Sequence, residues 1–360
     1  MELRGKRIIL FSPEPWAGLH MSKHHLSQAL AERGNAVVFV DPPAPANIGI
    51  RSAQHDGVTV VQYRHWLRGV NRLPRAVNQW YYRRLIQRIA AHTGGPFDII
   101  WCFDTSRMQW FPEGVGFKLL SLADYDILYV GQGLIPTADI IFTTGQMVAD
   151  TVARKTRART INIGHALDER WMSGIDVLGA RPSRKPHNVV FAGQLATRYN
   201  DWGGFAAITG RHPELRFTFI GPYDPAFPDP AFQALFIREN VTFTGLMTKD
   251  ELVPTLRGAD LLLFGFRTPL YSKERANPHK VLEYLSTGNV IVGSYTLEYK
   301  DRPDLFCMAP EGGDLSVAFD HALEQFADLD RPAARAARID AVRDRSMTRL
   351  IERIEQEIIA

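Results

Sequence analysis

Short, continuous apolar runs alternate with amphipathic stretches along this chain, in two series separated by an interval containing glycine and proline. That order leaves few folds open. In the first series, strands are expected near 7–12 (RIILFS), 36–40, 58–63, 97–103, 117–122, 138–143 and 159–163. Helices are expected between most of them. The clearest is 22–33, where Leu26, Ala29 and Leu30 form a 3.6-residue stripe behind a capping Ser22, and Gly34 ends it. Apolar strands that do not alternate, with helices between them, imply a parallel sheet covered on both faces.

The pattern lapses over 168–186, with Gly174, Gly179, Pro182 and Pro186 and few apolar clusters. It then resumes, with strands near 188–192, 216–220, 241–244, 260–264 and 290–293, and helices near 202–211, 230–239, 249–258, 278–287 and 314–327. Two doubly wound, Rossmann-like α/β domains are therefore expected, 1–168 and 187–340, joined by a linker at 169–186. Met347, Leu350, Ile351, Ile354 and Ile358 predict a last amphipathic helix in 341–360 that packs on some surface, with the first domain a candidate. Two such domains would face each other across a cleft at the carboxyl ends of their strands, where open α/β sheets bind ligands.

At 360 residues the chain is long enough for two cores. Cys102 and Cys307 are its only cysteines, both in apolar runs, which predicts buried thiols in a reducing compartment. The apolar run at 8–11 is too short for a signal peptide, and no segment approaches the roughly 18 apolar residues of a spanning helix. A cytoplasmic protein is expected, with a peripheral place on the inner membrane face open to it.

Two segments carry candidate chemistry. In 273–288 (KERANPHKVLEYLSTG), Asn277 suits a helix N-cap and Pro278 the first helical position. Lys280 would lie in the first turn, where the helix dipole disfavours a cation unless an anion is present. Glu283 follows at i+3 on the same face. A diphosphate beside Lys280 and a ribose held by Glu283 would satisfy this arrangement, as would a plain surface ion pair. In 189–202, a strand ends at Gly193 and Arg198 follows in a short loop, where it would grip phosphate or simply face water.

Taken together, VVFAG with a basic residue soon after, TFTGLMTKDELVPTLRGADLLLFGFR (242–267) and NPHKVLEYLSTGNVIVGS (277–294) resemble the donor-binding domain of GT-B glycosyltransferases. The particular likeness is to the bacterial family-4-like, teichuronic-acid-type enzymes of surface polysaccharide and glycolipid synthesis. The first half is similar in SPEPWAGLHMSKHHLSQALAERGNAVVFVDPP and in ADIIFTTGQMVADTV followed by INIGHALD. The resemblance implies a nucleotide diphosphate sugar as co-substrate, with no further cofactor. Glu283 would bind the ribose, Arg198 and Lys280 the diphosphate, and backbone around Gly245, Leu246 and Met247 the base. The family often has a glutamate seven residues before the ribose glutamate. Ala276 stands there in this chain, which passes sugar contacts to Asn277 or His279 and leaves anomeric retention open. The loop at Gly18 also lacks the family's usual double glycine.

For acceptor activation the candidates are His20, His24, His25, Asp104 and Asp124. Asp104 and Asp124 each follow an expected strand, where a carboxylate can take a hydroxyl proton or cap a helix. Asp124 resembles an aspartate at that strand end in teichuronic-type relatives, and His20 is the best placed of the histidines. Asp-x-Asp occurs twice, at Asp124-Tyr125-Asp126 and Asp328-Leu329-Asp330, but neither is read as the motif that holds a metal and diphosphate in the other large glycosyltransferase fold, so no metal site is expected and cations would stabilise the leaving group. The stretch 57–97 holds seven arginines (Arg64, Arg68, Arg72, Arg75, Arg83, Arg84 and Arg88) and no acidic residue. Trp66, Trp80, Tyr81 and Tyr82 are interleaved with them. An anionic membrane surface through 64–88, and a glycan or lipid-linked acceptor, are the expected partners, against a solvated face; nucleic acid is not expected. A nucleotide-sugar epimerase or a non-catalytic nucleotide-sugar-binding subunit would use the same fold. A dinucleotide dehydrogenase is disfavoured, because no G-x-G-x-x-G follows the first strand.

Overall fold

The structure, a computed structural model, describes residues 2–18, 20–45, 49–123, 132–177, 185–267 and 277–359. The chain divides into two compact units, Met1–Ala166 with Met347–Ala360, and Leu167–Ser346.

The first unit contains β1 (Arg7–Phe11), α1 (Ser22–Glu32), β2 (Ala36–Val40), β3 (Arg51–His55), β4 (Val58–Gln62), α2 (Arg75–Thr93), β5 (Ile99–Cys102), β6 (Phe117–Leu122), β7 (Ile140–Thr143), α3 (Gln146–Ala153) and β8 (Arg159–Asn162). Its sheet runs β3-β4-β2-β1-β5-β6-β7-β8, and only the β3–β4 pair is antiparallel. Strand β1 shows why the apolar runs are continuous. Ile9 and Phe11 enter the core cluster on one face, while Ile8 and Leu10 enter the cluster on the other. The edge strand β3 was not expected from the sequence. Its residues, RSAQH, are all exposed, so it carries no apolar signal. What folds it back is Asp56-Gly57, both at positive φ (48° and 78°), a two-residue hairpin turn.

The second unit contains α4 (Glu169–Met172), β9 (Asn188–Ala192), α5 (Trp202–Arg211), β10 (Arg216–Ile220), α6 (Pro230–Leu235), β11 (Val241–Gly245), α7 (Lys249–Gly258), β12 (Leu261–Phe264), α8 (His279–Leu285), β13 (Val290–Gly293), β14 (Cys307–Met308), α9 (Leu315–Glu324), α10 (Phe326–Leu329) and α11 (Pro332–Asp340). Its sheet, β11-β10-β9-β12-β13-β14, is parallel throughout. In the interval read from the sequence as a linker, Trp171 of α4 is fully buried in a core cluster of this unit. Asp168 caps that helix at the amide of Arg170 and pairs with Lys249, and Arg170 pairs with Asp250 at 2.8 Å. One indole at 171 thus draws a segment of low apolar density into the second unit.

The last helix, α12 (Met347–Ile359), belongs to the first unit. Met347, Ile351 and Ile354 are buried in the cluster that holds Leu26 and Leu30 of α1. Each fully buried aliphatic side chain contributes roughly 1.5–3 kcal/mol. Glu355 fixes the register by accepting from the Leu3 amide at 2.8 Å and pairing with Arg33 at 2.6 Å. Among the described residues no helix is long and apolar enough to cross a membrane.

Candidate functional site

In the second unit the chain passes from β9 to β10 and β11 on one side, then returns to β12 and β13 on the other. The switch point therefore lies between β9 and β12, and the crevice outside such a point is where an open α/β sheet admits ligands. These two strands pair only through Val189–Leu261 and Val190–Leu262. Beyond that, the hydroxyl of Tyr284 bridges them. It accepts from the Ala192 amide at 2.9 Å and donates to the Leu263 carbonyl at 3.3 Å.

Tyr284 lies on α8, so the same contact fixes that helix over the end of β9. Lys280, one turn earlier, reaches the strand end itself. Its ammonium sits 4.2 Å from the centroid of the Phe191 ring and directly against Gly193, where a Cβ would collide with it. Gly221, at the end of β10, has φ 139°, and any Cβ there would run into the carbonyl of Gly193. The two glycines let the strand ends and a lysine head crowd together at one place.

The start of α8 departs from expectation. Pro278, not Asn277, is the N-cap, because Pro278 is extended (ψ 126°) and its carbonyl accepts from Val281 at 3.1 Å. Lys280 is thus the second helical residue. Glu283 lies 3.5 Å from His279 Nδ1, an i,i+4 pair on one face of the helix. Asn277 is half-buried just before the cap, and Ala276 lies outside the described residues. Arg198 is exposed in the loop after Gly193, its guanidinium 5.7 Å from the ring of Tyr199. Gly245 ends β11. Leu246 after it is 69% exposed, while Met247 packs on the core.

The first unit contains the acceptor-side candidates. Asp124 lies outside the described residues. Asp104 is buried and fully engaged: Oδ1 accepts from the Ser106 amide and hydroxyl at 2.9 and 2.6 Å, and Oδ2 pairs with Arg107. That is a loop-fixing carboxylate, not one poised to accept a substrate proton. His20 and His24 stack at 4.9 Å with an interplanar angle of 8°, beside Trp16. His20 Nε2 donates to the Trp16 carbonyl at 3.2 Å, which leaves Nδ1 as its basic nitrogen. His24 Nδ1 accepts from the Met21 amide at 3.0 Å and Nε2 faces the Pro15 carbonyl at 3.3 Å. His24 is therefore a neutral cap of α1. Its burial, with His20 adding to the effect, lowers its pKa to about 4. Met21 rather than Ser22 is the N-cap.

Asp41, directly after β2, was not singled out from the sequence, although AVVFVD reads as WCFD does. Its Oδ1 accepts from the Trp16 amide at 2.8 Å, and burial raises its carboxyl above the usual range.

No family profile matches the chain, and no curated protein does. Solved structures match along nearly its whole length. Sucrose-phosphate synthase from Thermosynechococcus elongatus is 16% identical, with 98% of each chain covered and a TM-score of 0.69. HepE of Anabaena, solved with UDP and glucose, is 12% identical, with 99% and 100% covered and a TM-score of 0.67. WaaG, a glycosyltransferase of lipopolysaccharide biosynthesis, is 12% identical, with 98% and 99% covered and a TM-score of 0.67. The fold is GT-B. At these identities the likeness is one of fold, with two parallel-sheet, Rossmann-like domains.

On this GT-B chain the basic aromatic stretch divides in two. Tyr81 and Tyr82 are buried in the core of the first unit and face no surface. Trp66 and Trp80, 45% and 47% exposed, meet edge to face at 5.4 Å. Arg68, Arg72, Arg75, Arg84 and Arg88 are exposed as well.

Proposed function

We propose that this GT-B chain is a glycosyltransferase that moves a sugar from a nucleotide diphosphate sugar to a glycan or lipid-linked acceptor. The observation that carries the reading is the lysine head of Lys280, held against Gly193 and the Phe191 ring at the switch point of the second sheet. A fixed cation there would meet a diphosphate, with Arg198 closing from the loop. Glu283, one turn on from Lys280, would accept from the ribose hydroxyls, and Asn277 or His279 would face the sugar. The exposed Leu246 and the backbone of Gly245 and Met247 would receive the base. In the reaction, the acceptor oxygen bonds to the anomeric carbon as the bond to the diphosphate breaks. Lys280 and Arg198 neutralise the charge that develops on the leaving group without a metal ion. A base in the first unit, Asp124 or the Nδ1 of His20, takes the acceptor proton. UDP in HepE makes UDP the first nucleotide to test.

The finer reading is hexosyl transfer in bacterial surface polysaccharide synthesis, by a cytoplasmic enzyme of the family-4-like, teichuronic-type group. The Trp66–Trp80 pair among exposed arginines supports a place at an anionic membrane. The engagement of Asp104 favours one alternative, a nucleotide-sugar-binding subunit without catalysis.

Calorimetric titration with UDP in EDTA tests the donor site. The expected outcome is metal-free binding that Glu283→Ala weakens by about 1–3 kcal/mol, the scale of a hydrogen bond to a charged group. An affinity unchanged by the substitution would overturn the role of Glu283, and binding that returns only with Mg²⁺ would overturn metal independence.

A further inference from the structure

The loop that carries Arg198 does not stand free. Asn200 and Phe266 form an antiparallel bridge. Beside it the Arg267 amide donates to the Tyr199 carbonyl at 2.9 Å, and the Asp201 amide to the Gly265 carbonyl at 3.1 Å. The chain leaving β9 is thereby laced to the chain leaving β12, at the switch point itself. Each arm is also fixed from its own side. In the first, Asn200 Nδ2 donates to the Gln194 carbonyl at 2.9 Å and Trp202 Nε1 to the Thr197 carbonyl at 3.2 Å. In the second, the buried Ser294 hydroxyl accepts from the Phe266 amide at 2.9 Å and donates to the Phe266 carbonyl at 3.0 Å. Gly265 is pressed so closely on Phe205 and Leu315 that a Cβ would collide with both.

This lacing sets two arginines side by side. Arg267 is tied to Tyr199, the residue after Arg198, and both arginines are exposed. Among the described residues neither guanidinium has a hydrogen bond or an ion pair. Arg170, Arg211, Arg302 and Arg343 of the same unit each pair with an aspartate. The acid near Arg267 is Asp201, which is occupied as the cap of α5 at the Gly204 amide, 3.0 Å away. Burial raises the Asp201 carboxyl, and the charge of Arg267 pulls it back only in part. Like charges at neighbouring cross-strand positions repel, so a rigid backbone that holds two free cations together suits an anion lying between them.

We propose that Arg267 is a second phosphate-binding arginine, and that with Arg198 it grips the outer phosphate of a nucleotide diphosphate, so that the site selects diphosphates over monophosphates. Lys280, against Gly193 at the strand end, is left for the inner phosphate. Planar guanidinium forks match phosphate oxygens in a way that a lysine does not. This role rests on the donor-site reading and adds to it the residue that tells two phosphates from one.

Calorimetric titrations of UDP against UMP, GDP against GMP and ADP against AMP test it, on the natural chain, Arg267→Ala, Arg267→Lys and Arg302→Ala. The natural chain should prefer the diphosphate of whichever base it takes. Arg267→Ala should weaken that diphosphate about tenfold, the scale of one charge-assisted hydrogen bond, and leave the monophosphate nearly unchanged. Arg267→Lys should recover part of the loss. Arg302→Ala, which removes the same charge elsewhere in the unit, should change neither affinity. Equal affinity of the natural chain for diphosphate and monophosphate would overturn the role of Arg267. So would an Arg267→Ala chain that keeps the natural preference. A loss shared equally by both nucleotides would make Arg267 a support of the loop, not a phosphate ligand. All three results leave the donor site standing, whereas a natural chain that binds none of the six nucleotides sinks that reading and this role together.

Discussion

The Tyr284 hydroxyl serves as acceptor and donor at once. Ala192 and Leu263 stand where β9 and β12 have stopped pairing, and one phenol oxygen satisfies both backbone groups. Phenylalanine would leave a buried amide and a buried carbonyl open, at about 1–3 kcal/mol of stability. Ala192 precedes Gly193, and Lys280 rides the same helix as Tyr284, so a functional loss should follow. In Tyr284→Phe we expect a lower urea midpoint together with clearly weaker UDP binding. A variant that is less stable yet binds UDP as before would reduce Tyr284 to packing alone. Lys280 and Glu283 were legible as candidates in the sequence because the helix dipole disfavours a cation in the first turn. Tyr284 was not, because an aromatic on an amphipathic helix reads as core, and no spacing rule reports that two strands part above it.

Helix α1 shows how an element's limits depend on groups that pattern reading passes over. The apolar stripe of 22–33 was enough to place the helix, but its cap is the imidazole of His24 reaching back to the Met21 amide, not the hydroxyl of Ser22. Strands and helices were legible in the same way wherever a run was apolar and long. The exposed β3 was missed for want of apolar residues, the two-residue β14 because so short a strand makes no pattern even within the apolar run 305–309, and α4 because one tryptophan makes no periodicity. The His24 cap makes a prediction about pH. The fold needs neutral His24, with a pKa near 4 against an ordinary 6.5. As pH falls through 6.5 the unfolded chain takes up a proton and the folded chain does not, so stability is lost between there and about 4 and levels off below. By about pH 5 the loss should be near 2 kcal/mol, at about 1.4 per unit. Urea unfolding at neutral pH and near pH 5 reads it, and His24→Gln should lose that much less than the natural chain. Equal losses in both would mean that other groups carry the acid sensitivity.

For the whole molecule, a net charge of only +3 conceals an uneven distribution, since 57–97 has seven arginines and no acid. The structure places this stretch in the first unit, while Lys280, Glu283 and Gly193 belong to the second. Burial of Tyr81 and Tyr82 removes half of the aromatic residues first counted as interfacial. What remains is a pair of exposed tryptophans with exposed arginines at 68, 72, 75, 84 and 88. An exposed indole pair costs free energy in water that an interfacial layer would recover, and each arginine near an anionic leaflet adds about 1 kcal/mol. Binding to vesicles rich in phosphatidylserine should therefore be measurable at low salt. It should fade as ionic strength rises, because the Debye length is only about 10 Å at 0.1 M. Replacing Arg84 and Arg88 with Ala should weaken binding at low salt and flatten its fall with salt, and Trp80→Ala should weaken binding at every salt, since its contribution is apolar. UDP affinity should be the same in all of them, because none of these residues is in the second unit. If the natural chain ignores anionic vesicles at low salt, the tryptophans and arginines form a solvated face, and the proposed acceptor need not be lipid-linked.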